Sequence, residues 1–295
     1  FFKQKTAYEI STRDWSSDVC SSDLDSAVCN EAVKLAKRHK FAQLSGFVNG
    51  VLRNIARNID LVQFDTLSIR YSMPQWIVDR FVSEYGEKKA EEIFKAFHNK
   101  STISIRTNLT RCTPDELRAK LEAEGVTVTA VDELDYAFVI SGFDYLNGLQ
   151  SFRDGLFYVQ DISSMLVAQT AAPKKGDYVI DVCAAPGGKS THIAELLQGS
   201  GHVLARDMTD NKVDMIEENI ERHGLNNMSA EVWDATVPDA DSAGKADILI
   251  CDLPCSGLGV LGRKKDIRYK MTPESVDELA ALQRQIGRAS CRERV

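Results

Sequence analysis

No stretch of this sequence approaches the roughly 18 consecutive apolar residues that a membrane-spanning helix needs, so no membrane partner is expected. The opening segment, Phe1–Leu24, has no continuous apolar core behind a basic start; it does not read as a secretory signal, and a cytoplasmic location is expected. No CxxC pair occurs among the seven cysteines (Cys20, Cys29, Cys112, Cys183, Cys251, Cys255 and Cys291), and their number is odd. That pattern signals neither a disulfide framework nor a zinc site, so reduced thiols and no metal are expected. Positive charge is outnumbered, with 36 Lys and Arg against 43 Asp and Glu. The net charge of −7 is not the profile of a general nucleic-acid binder, and basic residues cluster only in Lys34–Lys40 and Arg263–Lys270. Taken alone, each run reads as a solvated face.

What is present is a chain of 295 residues, long enough for two or three folding units, with an ordinary 43% hydrophobic and 27% charged content. Its two ends, residues 1–24 and 287–295, resemble translated sequencing adapter and are set aside as non-native, which leaves Asp25–Ile286. In residues 25–70 the apolar positions Phe47, Val48, Val51, Leu52 and Ile55 form one helical stripe, the mark of an all-helical unit. Residues 71–154 mix patterns. Helices are predicted over 74–85 and 87–98, a strand over 102–108, a helix opened by the capping Thr113 before Pro114, and strands over 126–130 and 137–140. This is a small α+β domain. From residue 155 to 286, short apolar runs at 178–183, 202–206, 228–233 and 246–251 alternate with helical stretches, which predicts α/β architecture with a Rossmann-like parallel sheet.

Two motifs carry chemistry. In Asp181-Val-Cys-Ala-Ala-Pro-Gly-Gly-Lys-Ser-Thr191 a buried strand ends at an acid, and small residues turn into a helix. Ligands of open α/β sheets bind at such carboxyl ends, where glycines allow close approach and a helix N-terminus offers free N–H groups. Neither GxGxxG nor the GxxxxGK phosphate loop is present, so a nucleotide diphosphate is the weaker expectation. Further acids follow the next three strands at Asp207, Asp234 and Asp252. Asp207 is placed for ribose hydroxyls and Asp234 for an adenine amino group, though a lone Asp after a strand is usually a turn residue. Four in succession suit a neutral-to-cationic nucleoside such as S-adenosylmethionine (SAM). The second motif is Cys251-Asp-Leu-Pro-Cys-Ser-Gly-Leu-Gly259. Methyltransferases that act on exocyclic amines carry Pro-Pro-Tyr or Pro-Pro-Phe here. A Pro-Cys instead suits carbon 5 of cytosine, which can attack a methyl donor only after a thiolate has added to carbon 6. Cys255 is therefore the candidate catalytic cysteine, with Asp252 beside it, while Cys183 and Cys251 read as core.

Together, DVCAAPGGKST and CDLPCSGLGV resemble the ribosomal RNA cytosine-5 methyltransferase family known as Sun or Fmu (RsmB-like). Phe47-Val-Asn-Gly-Val-Leu-Arg-Asn-Ile55 is similar to the last helices of a domain related to the antitermination factor NusB, a module that within this family marks the small-subunit ribosomal RNA enzymes. The resemblance implies that Cys183, Ala184, Ala185, Pro186, Gly187, Gly188, Lys189, Asp207, Asp234 and Asp252 contact SAM. It implies that Cys255 is the cysteine that assists release of the methylated RNA. The attacking cysteine of the family lies in a later Thr-Cys-Ser motif, which has no match here, so a fragment that binds SAM without turning over is expected. The family's basic loop corresponds to Gly262–Tyr269, in which Arg263, Lys264 and Arg268 are expected to hold phosphates and Tyr269 to stack on a splayed base.

The expectation is thus a monomeric SAM-dependent enzyme acting on unassembled or partly assembled small-subunit ribosomal RNA, its NusB-like helical remnant and α+β domain preceding an incomplete methyltransferase domain. Three alternatives stand beside it. One is the same chemistry on transfer RNA or another ribosomal position. A second is a non-catalytic RNA-binding assembly factor. The third, a dinucleotide oxidoreductase, is disfavoured by the Pro-Cys motif and the missing GxGxxG.

Overall fold

The computed structural model describes residues 21–58, 61, 64–99 and 102–291, with side-chain surroundings from residue 26 onward. What was expected of residues 1–20 and 292–295 lies outside the described residues. The chain divides into two compact units, Phe1–Glu91 and Glu92–Val295.

The described residues of the first unit are helical or irregular, with no strand among them. Helices α1 (Ser21–Arg38) and α2 (Ser45–Asn58) pack side by side, followed by a single turn at Leu67–Arg70 and by α3 (Gln75–Tyr85). Helix α1 already runs at Ser21, so the expected break after residue 24 falls inside a helix. Thr66 caps the short turn by accepting from Ile69 N at 3.3 Å, and Gly86, at φ +79°, ends α3. The predicted stripe of α2 forms as a helix face but stays open: α2 buries no residue, and Phe47 is 71% exposed. Helix α4 (Glu87–Ala96) spans the division between the units.

The second unit contains two four-stranded sheets. Strands β1 (Ile103–Thr107), β2 (Thr127–Val131) and β3 (Leu134–Ser141) form the smaller sheet with β4 (Phe157–Val159), in the antiparallel order β2-β3-β1-β4. Helix α5 (Pro114–Ala123) starts from a capping box: Thr113 Oγ1 accepts from Glu116 N at 3.3 Å while the Glu116 carboxylate accepts from Thr113 N at 2.8 Å. Its apolar side, Leu117 and Leu121, joins Ile105, Phe138, Ile140 and Phe157 in one core. This corrects the expected division at residue 154. Arg106 pairs with Tyr158 and Thr107 with Phe157, so β4 belongs to the α+β sheet.

Helix α6 (Ile162–Ala171) leads into the larger sheet, formed by β5 (Tyr178–Asp181), β6 (His202–Asp207), β7 (Met228–Val232) and β8 (Ile248–Ile250). All pairings are parallel and the order is β7-β6-β5-β8. Helices α7 (Gly188–Leu196) and α8 (Asp210–His223) connect β5 to β6 and β6 to β7. The near-continuous apolar character of these strands follows from burial on both faces. Val179, Val203 and Ala205 pack with Ile193 and Ile216, while Ile180 and Val182 pack with Ala246 and Ile286. Ile286 belongs to α9 (Pro273–Ser290), which Thr272 caps and which continues through the expected stop at residue 286, burying Ala289 and Ser290. Because β6 and β7 lie to one side of β5 and β8 to the other, the order reverses between β5 and β8. That crevice is where open α/β sheets bind their ligands.

Candidate functional site

Both chemical motifs open onto this reversal. Strand β5 ends at Asp181, 1% exposed, whose Oδ2 accepts from Ser190 Oγ at 2.6 Å and whose Oδ1 accepts from Cys183 N at 3.4 Å. Burial pushes the Asp181 carboxyl up to about 6, against the opposing pull of those two hydrogen bonds. The chain then turns tightly. Ala184 N donates to Arg206 O at 2.8 Å and Gly187 N to Ala184 O at 2.7 Å, and Gly187 takes φ +101° before α7 begins at Gly188. Few residues other than glycine adopt that backbone, which explains Gly187 after Pro186.

Asp207, at the end of β6, is 4% exposed and pins the same turn from the other side. Its Oδ2 accepts from Ala185 N at 3.0 Å, and its Oδ1 accepts from Met208 N and Lys212 Nζ, both at 2.8 Å. A carboxylate has about four lone-pair sites, so acceptor capacity remains. Asp234, by contrast, is exposed and forms the turn that a lone acid after a strand usually forms. Its Oδ1 accepts from Thr236 N at 2.9 Å and Thr236 Oγ1 at 2.7 Å, which holds its carboxyl below the usual range.

Across the reversal, Lys189 Nζ in the first turn of α7 meets Asp252 Oδ2 at 2.5 Å. Residues 251–257 carry no regular structure; a short 3₁₀ turn, Leu258–Val260, follows Gly257. Cys255 is exposed on this loop, and Gln283 of α9 donates to Pro254 O at 2.8 Å. The other cysteines behave differently. Cys183 is half-buried in the core beside β5, and burial, then the neighbouring Asp207 and Asp181 carboxylates, push its thiol up to about 12. Cys251 is exposed, contrary to its reading as core, because it lies just past β8, whose second edge is unpaired among the described residues.

The basic loop is only partly as expected. Lys264 is exposed and Tyr269 is 71% exposed. Arg263 is ion-paired to Asp161, at the start of α6, beside a cavity of about 500 Å³ that Ser104, Ser163 and Gly259 also line. Arg268 is 4% exposed and does not present a cation to RNA, which corrects its reading as a phosphate ligand. A charge run gives no sign of which of its members turns inward. Arg106, Tyr158 and Gln160, which sit behind the turn on β1, on β4 and just after it, do not stand out in the sequence. No local motif marks them, and β4 itself is too short to read. Among the described residues there is no cluster of three or more metal-ligating side chains and no helix long and apolar enough to cross a membrane.

Three family models match the chain: the NusB family over residues 20–57, the ferredoxin-like domain of RsmF/B-like methyltransferases over 73–143, and the 16S rRNA methyltransferase RsmB/F model over 168–293. The chain is 36% identical over 273 residues to the probable ribosomal RNA small subunit methyltransferase B of Bacillus subtilis, covering 90% of this chain and 60% of that protein. It is 32% identical over 263 residues to ribosomal RNA small subunit methyltransferase B of Proteus mirabilis, covering 88% and 62%. The chain thus spans about three-fifths of the relatives it matches. The fold is shared with the crystal structure of PH0851, with a TM-score of 0.79 at 24% identity over 93% of this chain and 62% of that one. It is also shared with NSun6 from Pyrococcus horikoshii with SFG, with a TM-score of 0.67 at 22% identity over 75% and 80%.

Proposed function

Because this chain belongs to the RsmB/F family of SAM-dependent methyltransferases, we propose that it binds SAM at the β5/β8 reversal and serves methylation of carbon 5 of a cytosine in small-subunit ribosomal RNA. The observation that carries the reading is the convergence of the Asp181–Thr191 turn, Asp207 and the Asp252–Cys255 loop on one crevice, with Lys189 paired to Asp252 across it.

The residues present fit such a cofactor. Asp207 keeps acceptor capacity for ribose hydroxyls, Asp234 is exposed where an amino group can reach it, and the 183–189 turn offers backbone at close approach. Bound there, SAM supplies an electrophilic methyl group. The chain's own part is to hold and orient. Cys255, exposed beside Asp252, is positioned for the release step, in which carbon 5 gives up its proton and the bond between an attacking thiolate and carbon 6 breaks. Lys264 and Tyr269 present a cation and a ring for the phosphate and base of an unstacked nucleotide.

Thr-Cys-Ser does not occur in this sequence, so the test rests first on binding. The chain is expected to bind SAM, and to bind single-stranded small-subunit ribosomal RNA more tightly than transfer RNA. Tighter binding of transfer RNA overturns the substrate assignment. RNA binding without SAM binding favours a non-catalytic assembly factor. With methyl-labelled SAM, any transfer yields 5-methylcytidine, and label on an exocyclic nitrogen overturns the carbon-5 assignment.

A further inference from the structure

The carbonyls of the cofactor turn are held from the smaller sheet. Arg106, the fourth of the five residues of β1 and 1% exposed, uses all five of its N–H donors. Nε donates to Glu195 Oε2 at 3.2 Å, and Nη2 to Glu195 Oε1 at 2.8 Å and Thr191 Oγ1 at 3.2 Å. Nη1 donates to Gln160 Oε1 and to Gly188 O, the latter at 3.0 Å. Gly188, Thr191 and Glu195 all lie on α7, so one guanidinium grips the helix that follows the motif from its first residue to its next to last. Beside it, Tyr158 Oη donates to Pro186 O at 3.2 Å, and Asn219 Nδ2 from α8 donates to the same carbonyl at 2.9 Å. The Tyr158 ring closes the space behind Gly188, where an added Cβ would lie 3.1 Å from Tyr158 Cε1.

Packing alone accounts poorly for this arrangement. Buried ion pairs such as Arg106–Glu195, with side chains 1% and 2% exposed, contribute little to stability compared with apolar residues of equal volume, because desolvation offsets their attraction. What such a pair supplies is direction. A planar fork saturated by fixed acceptors holds the helix start in one orientation, which an apolar cluster does not.

We infer that Arg106, Tyr158 and Gln160 are positioning residues for SAM: the α+β domain supplies the rigid backing that presets the Pro186–Lys189 backbone for the cofactor. None of them lies in the motifs that mark the SAM turn; they act through the Pro186 and Gly188 carbonyls. The inference rests on the SAM assignment made above, and its test separates the two.

The test compares the parent chain with Tyr158→Phe and Arg106→Lys, reading SAM affinity by calorimetry, the melting temperature, and amide hydrogen exchange in peptides covering Ala184–Thr191 and, as control, Met228–Val232. Tyr158→Phe removes the hydroxyl, which donates to Pro186 O and accepts from Asn219 Nδ2 at 3.5 Å, and keeps the ring, so a roughly fivefold rise in the SAM Kd is expected with little change in melting. Arg106→Lys keeps the charge and loses the fork, and a tenfold or larger rise is expected. Both variants exchange faster in the turn peptide and normally in the control. Variants that melt lower yet bind SAM within twofold of the parent, with unchanged exchange in the turn, overturn the inference and leave these residues as packing. If the parent itself fails to bind SAM, the cofactor assignment falls, and faster or unchanged exchange of the turn still decides whether these residues preset it.

Discussion

Lys189 and Asp252, 63 positions apart in the chain, join the two motif loops at 2.5 Å across the point where the parallel sheet changes direction. Asp252 is 58% exposed, so the pair adds little to folding; exposed ion pairs contribute on the order of 0–1 kcal/mol. Its place, at the mouth of the crevice, is what matters. Asp252→Ala is therefore expected to leave the melting temperature nearly unchanged and to weaken SAM binding about tenfold, roughly 1.4 kcal/mol. Calorimetry with a parallel thermal melt checks this, and a variant that melts much lower while binding SAM normally would reverse the assignment.

Asp181 predicts a pH dependence of opposite sign to that of most carboxylates. Its folded-state pKa of about 6 lies above the unfolded value of about 3.9. The folded protein therefore holds the proton more tightly, and the stability this group contributes is full below about pH 4 and lost as pH rises to about 6. The loss reaches roughly 3 kcal/mol and is constant at higher pH. Asp181→Asn keeps an oxygen to accept from Ser190 and removes the charge. The parent's stability minus that of the variant should fall between pH 4 and 6 and then level off. Urea melts of both proteins across this range give the difference directly, and parallel curves would contradict it.

Two of the three motif cysteines, Cys183 and Cys255, should differ sharply toward alkylating reagents. Cys183, with its thiol pushed up to about 12, is expected to stay unmodified at pH 8, while the exposed Cys255 is labelled readily. Peptide mass spectrometry after brief iodoacetamide treatment resolves them. Cys255→Ala is expected to bind SAM like the parent, since its proposed part begins only once RNA is engaged.

Much of this site was legible in the sequence because its signals are local. An apolar run that stops at an acid and passes into small residues locates Asp181 and Asp207 at strand ends, and both end their strands. The Thr113 cap was legible for the same reason. What escaped depends on distant partners. Helix α6, Ile-Ser-Ser-Met-Leu-Val-Ala-Gln-Thr-Ala, has apolar residues on every side and no helical stripe to read. Strand β4 has three residues, and only its pairing with β1 reveals it. The end of α9 looked foreign in composition, yet Ala289 and Ser290 are buried. Arg106 reads in sequence as a charge in a strand, and only the fold shows that its partners lie between 54 and 89 residues further along the chain.

The basic loop gives a test that separates binding from burial. Lys264→Glu and Tyr269→Ala change exposed side chains and are expected to weaken ribosomal RNA binding, the first also lowering the salt dependence by about one counterion. Arg268→Ala removes a buried side chain and is expected to lower the melting temperature instead. Fluorescence anisotropy with an RNA oligonucleotide at several salt concentrations, together with thermal melts, sorts the three variants. Equal melting of Arg268→Ala and the parent would show that this side chain does no structural work.

The central claim, that the β5/β8 reversal holds SAM, is tested most directly by titrating the chain with SAM in the presence and absence of NAD, and repeating the titration with Asp207→Ala. The account predicts one SAM per chain, no competition by NAD, and binding at least tenfold weaker in the variant, since Asp207 both pins the Ala185 amide and offers its remaining acceptor capacity. Displacement of SAM by NAD, or undiminished binding in Asp207→Ala, would contradict it.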